Sequence, residues 1–209
     1  MRKAAAAVLG SALAAGCATT PPPPATTAYS GQNCADAPDL GRAASLTPES
    51  RRRIFRVGTP IDAGTPCLLG NSTPTPYVIY ALPALAAGMM VEVGAELEGA
   101  RIFSPAISVL DENGRQVRSF DASQYLYRGV MFSIQFIPQP EERFVLVTAD
   151  PSRIGRNYDA VAISTSTTAI ATPYAFASWT SGVDQSISRT FSYDGAVAAI
   201  VYSPEGNER

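Results

Sequence analysis

From Tyr77 onward the chain is written in a two-residue period, which constrains its fold more than any other feature. Val91, Val93, Ala95 and Leu97 alternate with Glu92, Gly94, Glu96 and Glu98. Only an extended strand turns that alternation into one apolar face and one carboxylate face. Residues 106–110 (AISVL) form a second strand, stopped by Asp111-Glu112-Asn113-Gly114. Asn-Gly tolerates the positive φ of a tight hairpin turn, so Gln116–Phe120 return along it. Val130, Phe132, Ile134 and Phe136 alternate with Met131, Ser133, Gln135 and Ile137 until Pro138 and Pro140 end the ladder. Residues 143–149 and 196–202 complete the obvious set. Short strands separated by turn signals, with little helix, predict an all-β chain: an antiparallel, jelly-roll-like β-sandwich over residues 76–205.

The N-terminus reads differently. Arg2 and Lys3 precede a short apolar run, residues 4–16, that ends in Ala14-Ala15-Gly16-Cys17. The run falls short of the roughly 20 residues needed to span a bilayer and fits a secretory signal. The four residues ending at Cys17 resemble a bacterial lipobox, with Ala14 where Leu is commoner. The expectation is a lipoprotein signal at 1–16 and a lipid anchor on Cys17. Ala18 after the cysteine points to the outer membrane, with the domain facing the periplasm or the cell surface. Residues 17–35, with Pro21–Pro24, read as a stiff tether. Residues 36–75 read as an extension holding a short helix over 45–56, with Thr47 as N-cap, Pro48 in the first turn and Glu49 near its positive end.

Composition narrows the chemistry. There is no histidine, and Lys3 is the last lysine. That removes the commonest general base and metal ligand, nucleophile pairs built on histidine and a lysine Schiff base. Removal of residues 1–16 leaves 14 basic and 18 acidic residues, a balance with no basic face for nucleic acid. A hydrolase built on two carboxylates about 5–10 Å apart needs none of these groups, but the reading is a protein that is not an enzyme and uses no cofactor or metal. Cys34 and Cys67 form an even pair which, in an oxidising compartment, reads as a disulfide.

Several segments together resemble the periplasmic maltose-operon protein family (MalM). They are Phe103–Asp111 (FSPAISVLD), Ser123–Tyr127 (SQYLY), Gly129-Val130-Met131, Phe144–Thr148 (FVLVT), Tyr174-Ala175 and Asp194-Gly195. The resemblance covers roughly residues 76–203 and rests mainly on core and turn positions. It implies a periplasmic β-sandwich linked to maltose or maltodextrin uptake, acting without catalysis. The lipobox departs from that family's pattern. The alternating strands with their D-E-N-G turn also look like small sandwich modules appended to secreted peptidases.

A sugar site would stack C–H faces on aromatic rings and give the hydroxyls to polar neighbours. Phe120, Tyr125 and Tyr127, with Asp121, Gln124 and Arg128, are the candidate carbohydrate cluster, in a connection between strands. The same residues suit a loop covering one end of the core. Trp179, near Tyr174 and Phe176, is a second candidate. Asp111, Asn113 and Asp121 offer oxygens but no known calcium spacing. Two functions follow from these readings. One is an accessory of maltodextrin transport that binds carbohydrate or an envelope transport protein. The other is a structural or interaction lipoprotein of the outer membrane with no sugar ligand.

Overall fold

The computed structural model describes residues 23–31, 33–48, 53–70, 73–172 and 175–204, and for 159–187 the backbone alone. The signal segment, Cys17, Glu49 and Tyr174 lie outside the described residues. The described strands are β1 (Ala44–Ser45), β2 (Ile54–Ile61), β3 (Cys67–Gly70), β4 (Thr73–Ala81), β5 (Met90–Glu98), β6 (Arg101–Phe103) and β7 (Pro105–Leu110). They continue as β8 (Gln116–Ser119), β9 (Leu126–Arg128), β10 (Met131–Phe136), β11 (Phe144–Ala149), β12 (Asn157–Thr172), β13 (Ala175–Ser192) and β14 (Gly195–Tyr202). Helix is confined to two single 3-10 turns, Leu40–Arg42 and Ala122–Gln124, among the described residues. The protein is all-β.

The strands form two mixed sheets. One runs β1-β4-β11-β7-β8, with β3 also on β4. The other is centred on β5, which pairs antiparallel with β10 on one side and β14 on the other. Strand β9 lies outside β10, β2 outside β14, and β6, β13 and β12 extend the sheet from the far end of β5. The expected antiparallel pattern holds except at two places, β1 with β4 and β13 with β6, which run parallel.

The two-residue period explains the core. Val91, Val93 and Ala95 of β5 point inward and are fully buried. One apolar cluster joins Val78, Tyr80, Ile107, Val109, Val145 and Val147 of the first sheet to Val91, Val93, Phe132, Ile134 and Val197 of the second. Each fully buried side chain of this size contributes about 1.5–3 kcal/mol of transfer free energy. A polar tie crosses the same space, where the Tyr80 hydroxyl donates to Thr59 Oγ1 at 3.0 Å.

The N-terminal third departs from its expected form. The helix expected over 45–56 is not found on the described part of that span. Ser45 closes β1, residues 46–48 are irregular and Ile54–Arg56 open β2, while 49–52 lie outside the described residues. Propensity loses here to packing, because β2 places Val57 and Ile61 against the core and pairs along all of β14. The tether also reaches the body sooner than composition suggests. Thr26 N donates to Ser192 Oγ at 2.8 Å, Tyr193 N donates to Thr26 O, and the Tyr29 ring lies 5.6 Å from that of Tyr193. The disulfide between Cys34 and Cys67 is formed, across a sequence separation of 33 residues. It fixes Ala35 beside β3, where Ala35 bridges Leu68.

Candidate functional site

The carboxylate face of β5 is not the simple solvated face that alternation implies. Glu92 points away from the core, as its position demands, yet it is only 4% exposed. Burying a carboxylate is costly unless donors surround it. Three neutral donors do so: Ser133 Oγ donates to Oε1 at 2.6 Å, Gln135 Nε2 to Oε2 at 3.0 Å and the Tyr202 hydroxyl to Oε2 at 2.8 Å. Register explains the convergence. Gln135 of β10 and Ile200 of β14 are the direct cross-strand neighbours of Glu92, and Ser133 and Tyr202 lie one pleat away on either side.

Gly94 makes this closeness possible. A Cβ at that position would sit 2.3 Å from Phe132 O and 2.5 Å from Ser133 Cα, so only glycine lets β5 and β10 approach as they do. Above the carboxylate the sheet carries an open hollow of about 510 Å³, rimmed by Arg56, Arg128, Gln135, Val130, Ile200 and Tyr202. Its volume falls within the range of about 300–1,000 Å³ usual for small-molecule sites. Arg56 pairs with Glu96, and Arg128 donates to the backbone oxygen of Ser133. The Tyr202 phenol is pushed up to about 12, first by burial, then by its hydrogen bond to Glu92 and that group's charge. It therefore stays a neutral donor across the physiological range.

This arrangement has a division of labour. Glu92 is too buried to be the main contact with a ligand, so it is a positioning residue that fixes the Gln135 amide and the Tyr202 ring. The groups that meet solvent are a guanidinium from each side, the Gln135 amide and the apolar rim of Val130, which is 65% exposed. Planar polar groups beside a half-buried ring and aliphatic edges suit a neutral polyol better than a strong anion or an extended apolar chain.

The candidate carbohydrate cluster is divided by the fold. Tyr125 is 5% exposed, stacked 5.5 Å from Phe132, and its hydroxyl accepts from Ile107 N at 2.8 Å. Phe120 is half-buried, 5.3 Å from Phe136. Asp121 N donates to the Gln124 side chain at 2.7 Å, closing the 3-10 turn before Tyr125. Tyr127 is 41% exposed, with its ring 6.5 Å from that of Tyr158. Arg128 alone reaches the hollow over Glu92. The Asp111 oxygens accept from Asn113 N, Arg115 N and Arg115 Nε, which is a hairpin turn's bonding, and Gly114 supplies its positive φ. Among the described residues no group of three or more acids or cysteines is placed to hold a metal ion. Phe176 and Trp179 lie on β13, opposite Ala171 and Thr168 in register.

Alternation placed Glu92, Ser133 and Gln135 on an outward face. What it could not supply was the pairing of β14 beside β5, which brings Tyr202 from 110 residues away. A second hollow, of about 490 Å³, lies where residues 26–31 cross the body near Asp62, Tyr193 and Asp194. Its carboxylate Asp194 is already held by Arg101 and Ser192. No family model, no curated protein and no solved structure matches the chain.

Proposed function

We propose that this protein is a non-catalytic envelope lipoprotein, lipid-anchored at Cys17 and facing the periplasm, that binds carbohydrate in the hollow over Glu92. The architecture behind it is a jelly-roll-like β-sandwich, supported by two sheets that share one core. The observation that carries the binding site is a buried carboxylate held by three neutral donors beneath a hollow with a guanidinium on each side. Such a site offers fixed donors and acceptors to hydroxyl groups, with its carboxylate engaged by three donors. The resemblance to the maltose-operon family makes maltodextrin the first ligand to test, with a role as an accessory of its uptake.

Calorimetry of the full chain in detergent with maltose and longer maltodextrins tests this. The expected result is saturable heat that falls at least tenfold in affinity for Gln135→Ala and Tyr202→Phe, and is unchanged for Tyr127→Ala. Absence of heat with every oligomer would remove the sugar reading. Heat lost on Tyr127→Ala and kept in Gln135→Ala would move the site to the loop before β10.

The second reading, an interaction lipoprotein with no sugar ligand, is favoured by a separate observation. Among the described residues, β12 and β13 pair only with each other over 160–172 and 175–187, which leaves a long sheet edge without a partner strand.

A further inference from the structure

Strands β12 and β13 form one antiparallel hairpin, in unbroken register from Asn157↔Thr190 to Thr172↔Ala175. Its root is firmly held. Thr190–Ser192 pair with Arg101–Phe103 of β6, and Arg101 lies between Glu98 at 2.9 Å and Asp194 at 2.5 Å. Beyond that root, the thirteen pairs from Ala160↔Ile187 to Thr172↔Ala175 are hydrogen-bonded to no other strand among the described residues. At about 3.4 Å per residue this is an arm on the order of 40 Å long. A lone two-stranded hairpin is marginal in water, because half its backbone groups along each edge find no partner strand.

Natural sheets blunt such edges with short strands, prolines, lysines or bulges. The other outer strands here do so. β1 and β9 are two and three residues long, β8 has four and a register shift opposite Val109/Leu110, and β2 carries Arg56 and Pro60. The arm uses none of these devices. Residues 160–172 contain no charged residue and no proline, and 175–187 contain only Asp184.

We propose that this edge is an interface: β12 of one copy pairs antiparallel with β12 of a second copy, about a two-fold axis near Ser166. Several features select a second copy as the occupant. A strand without charge over its whole free length meets no like charge when it pairs with itself, in any register. Self-pairing of one edge is isologous and closes as a dimer, which makes it the simplest symmetric assembly. The ladder supplies about one backbone hydrogen bond per residue, or about thirteen, comparable to the roughly ten direct bonds of a typical protein interface. Pairing four strands across the two arms also relieves the marginal stability of each hairpin.

The test is sedimentation of the full chain in a density-matched detergent at about 1–100 μM, where pairs of micromolar affinity associate. The wild type is expected at twice the chain mass. Ser166→Lys and Ser166→Glu place like charges across the axis, so each alone is expected to be monomeric. An equimolar mixture of the two is expected to recover the dimer, which shows that the substituted arms remain folded and competent. A monomeric wild type, a dimeric Ser166→Lys variant or a mixture that stays monomeric overturns the proposal. So would monomeric chains held through the arm on phosphatidylglycerol vesicles, since the occupant would then be a lipid surface.

Discussion

The body and the arm solve the same problem, unsatisfied strand edges, in opposite ways. In the body the long strands β4, β5, β7, β10, β11 and β14 each have partners on both sides, the outer strand β2 carries Arg56 and Pro60, and one apolar cluster draws on both sheets. The arm repeats one ladder for thirteen pairs and leaves it open. The body therefore draws its stability from burial within one chain. The arm is a two-stranded ladder over that length, and the stability of such a ladder depends on what pairs beside it. Self-contained stability and dependence on a neighbour are separable by experiment.

Substitutions in the body should be costly whatever the protein concentration. Opening the Cys34–Cys67 bridge, by Cys67→Ser with Cys34→Ser, releases a loop closed over 33 residues. It should lower the unfolding free energy by about 3–4 kcal/mol, read from a denaturant midpoint. Gly94→Ala forces a methyl into backbone atoms of β10, and overpacking of this kind costs about 1–3 kcal/mol. Its hollow should open at the same time, so ligand heat should be lost together with stability. Tyr125→Phe leaves the buried Ile107 N–H without its acceptor, at a cost of about 1–2 kcal/mol by chemical denaturation. Ser166→Lys, by contrast, should change the stability of the isolated monomer by less than about 0.5 kcal/mol while abolishing the dimer.

Alkaline titration probes the body alone, because residues 160–172 and 175–187 hold no tyrosine. The Tyr80, Tyr125 and Tyr202 phenols are each pushed up to about 12, chiefly by burial, from an ordinary value of 10.0. A raised folded-state value means that the stability they contribute is fully present below about pH 10. It is lost as pH rises towards 12, because the unfolded chain ionises first. Phenolate absorbance should therefore rise late for these three and coincide with the loss of β-sheet circular dichroism. A group of three titrating near 10 with the fold intact would show that their surroundings are wetter than described.

The sequence made the body legible where two-residue alternation was strong. Strands β5, β7, β8, β10, β11 and β14 lie within one or two residues of where the pattern placed them. The β7–β8 hairpin follows its Asp-Glu-Asn-Gly turn. Residues 54–61 were misleading because Thr47, Pro48 and Glu49 imitate a helix start, whereas β14 supplies a complete partner strand that local pattern does not reveal. Strands β12 and β13 were hidden for another reason. Their Ser, Thr and Ala residues give little contrast between faces, so neither a two-residue nor a 3.6-residue period stands out. The Glu92 site was half visible: its face was readable, but its burial depends on Tyr202, which only the pairing of β14 with β5 brings near.

Hydrogen exchange of the full chain at two concentrations, one well below and one well above the association midpoint, tests the contrast between body and arm most directly. Amides of Met90–Glu98 in β5 should be strongly protected and indifferent to concentration. Amides of residues 160–172 should exchange quickly in the dilute sample and slow by at least tenfold in the concentrated one. Equal protection of both segments at both concentrations would contradict the account, because the arm would then be stable without a neighbour.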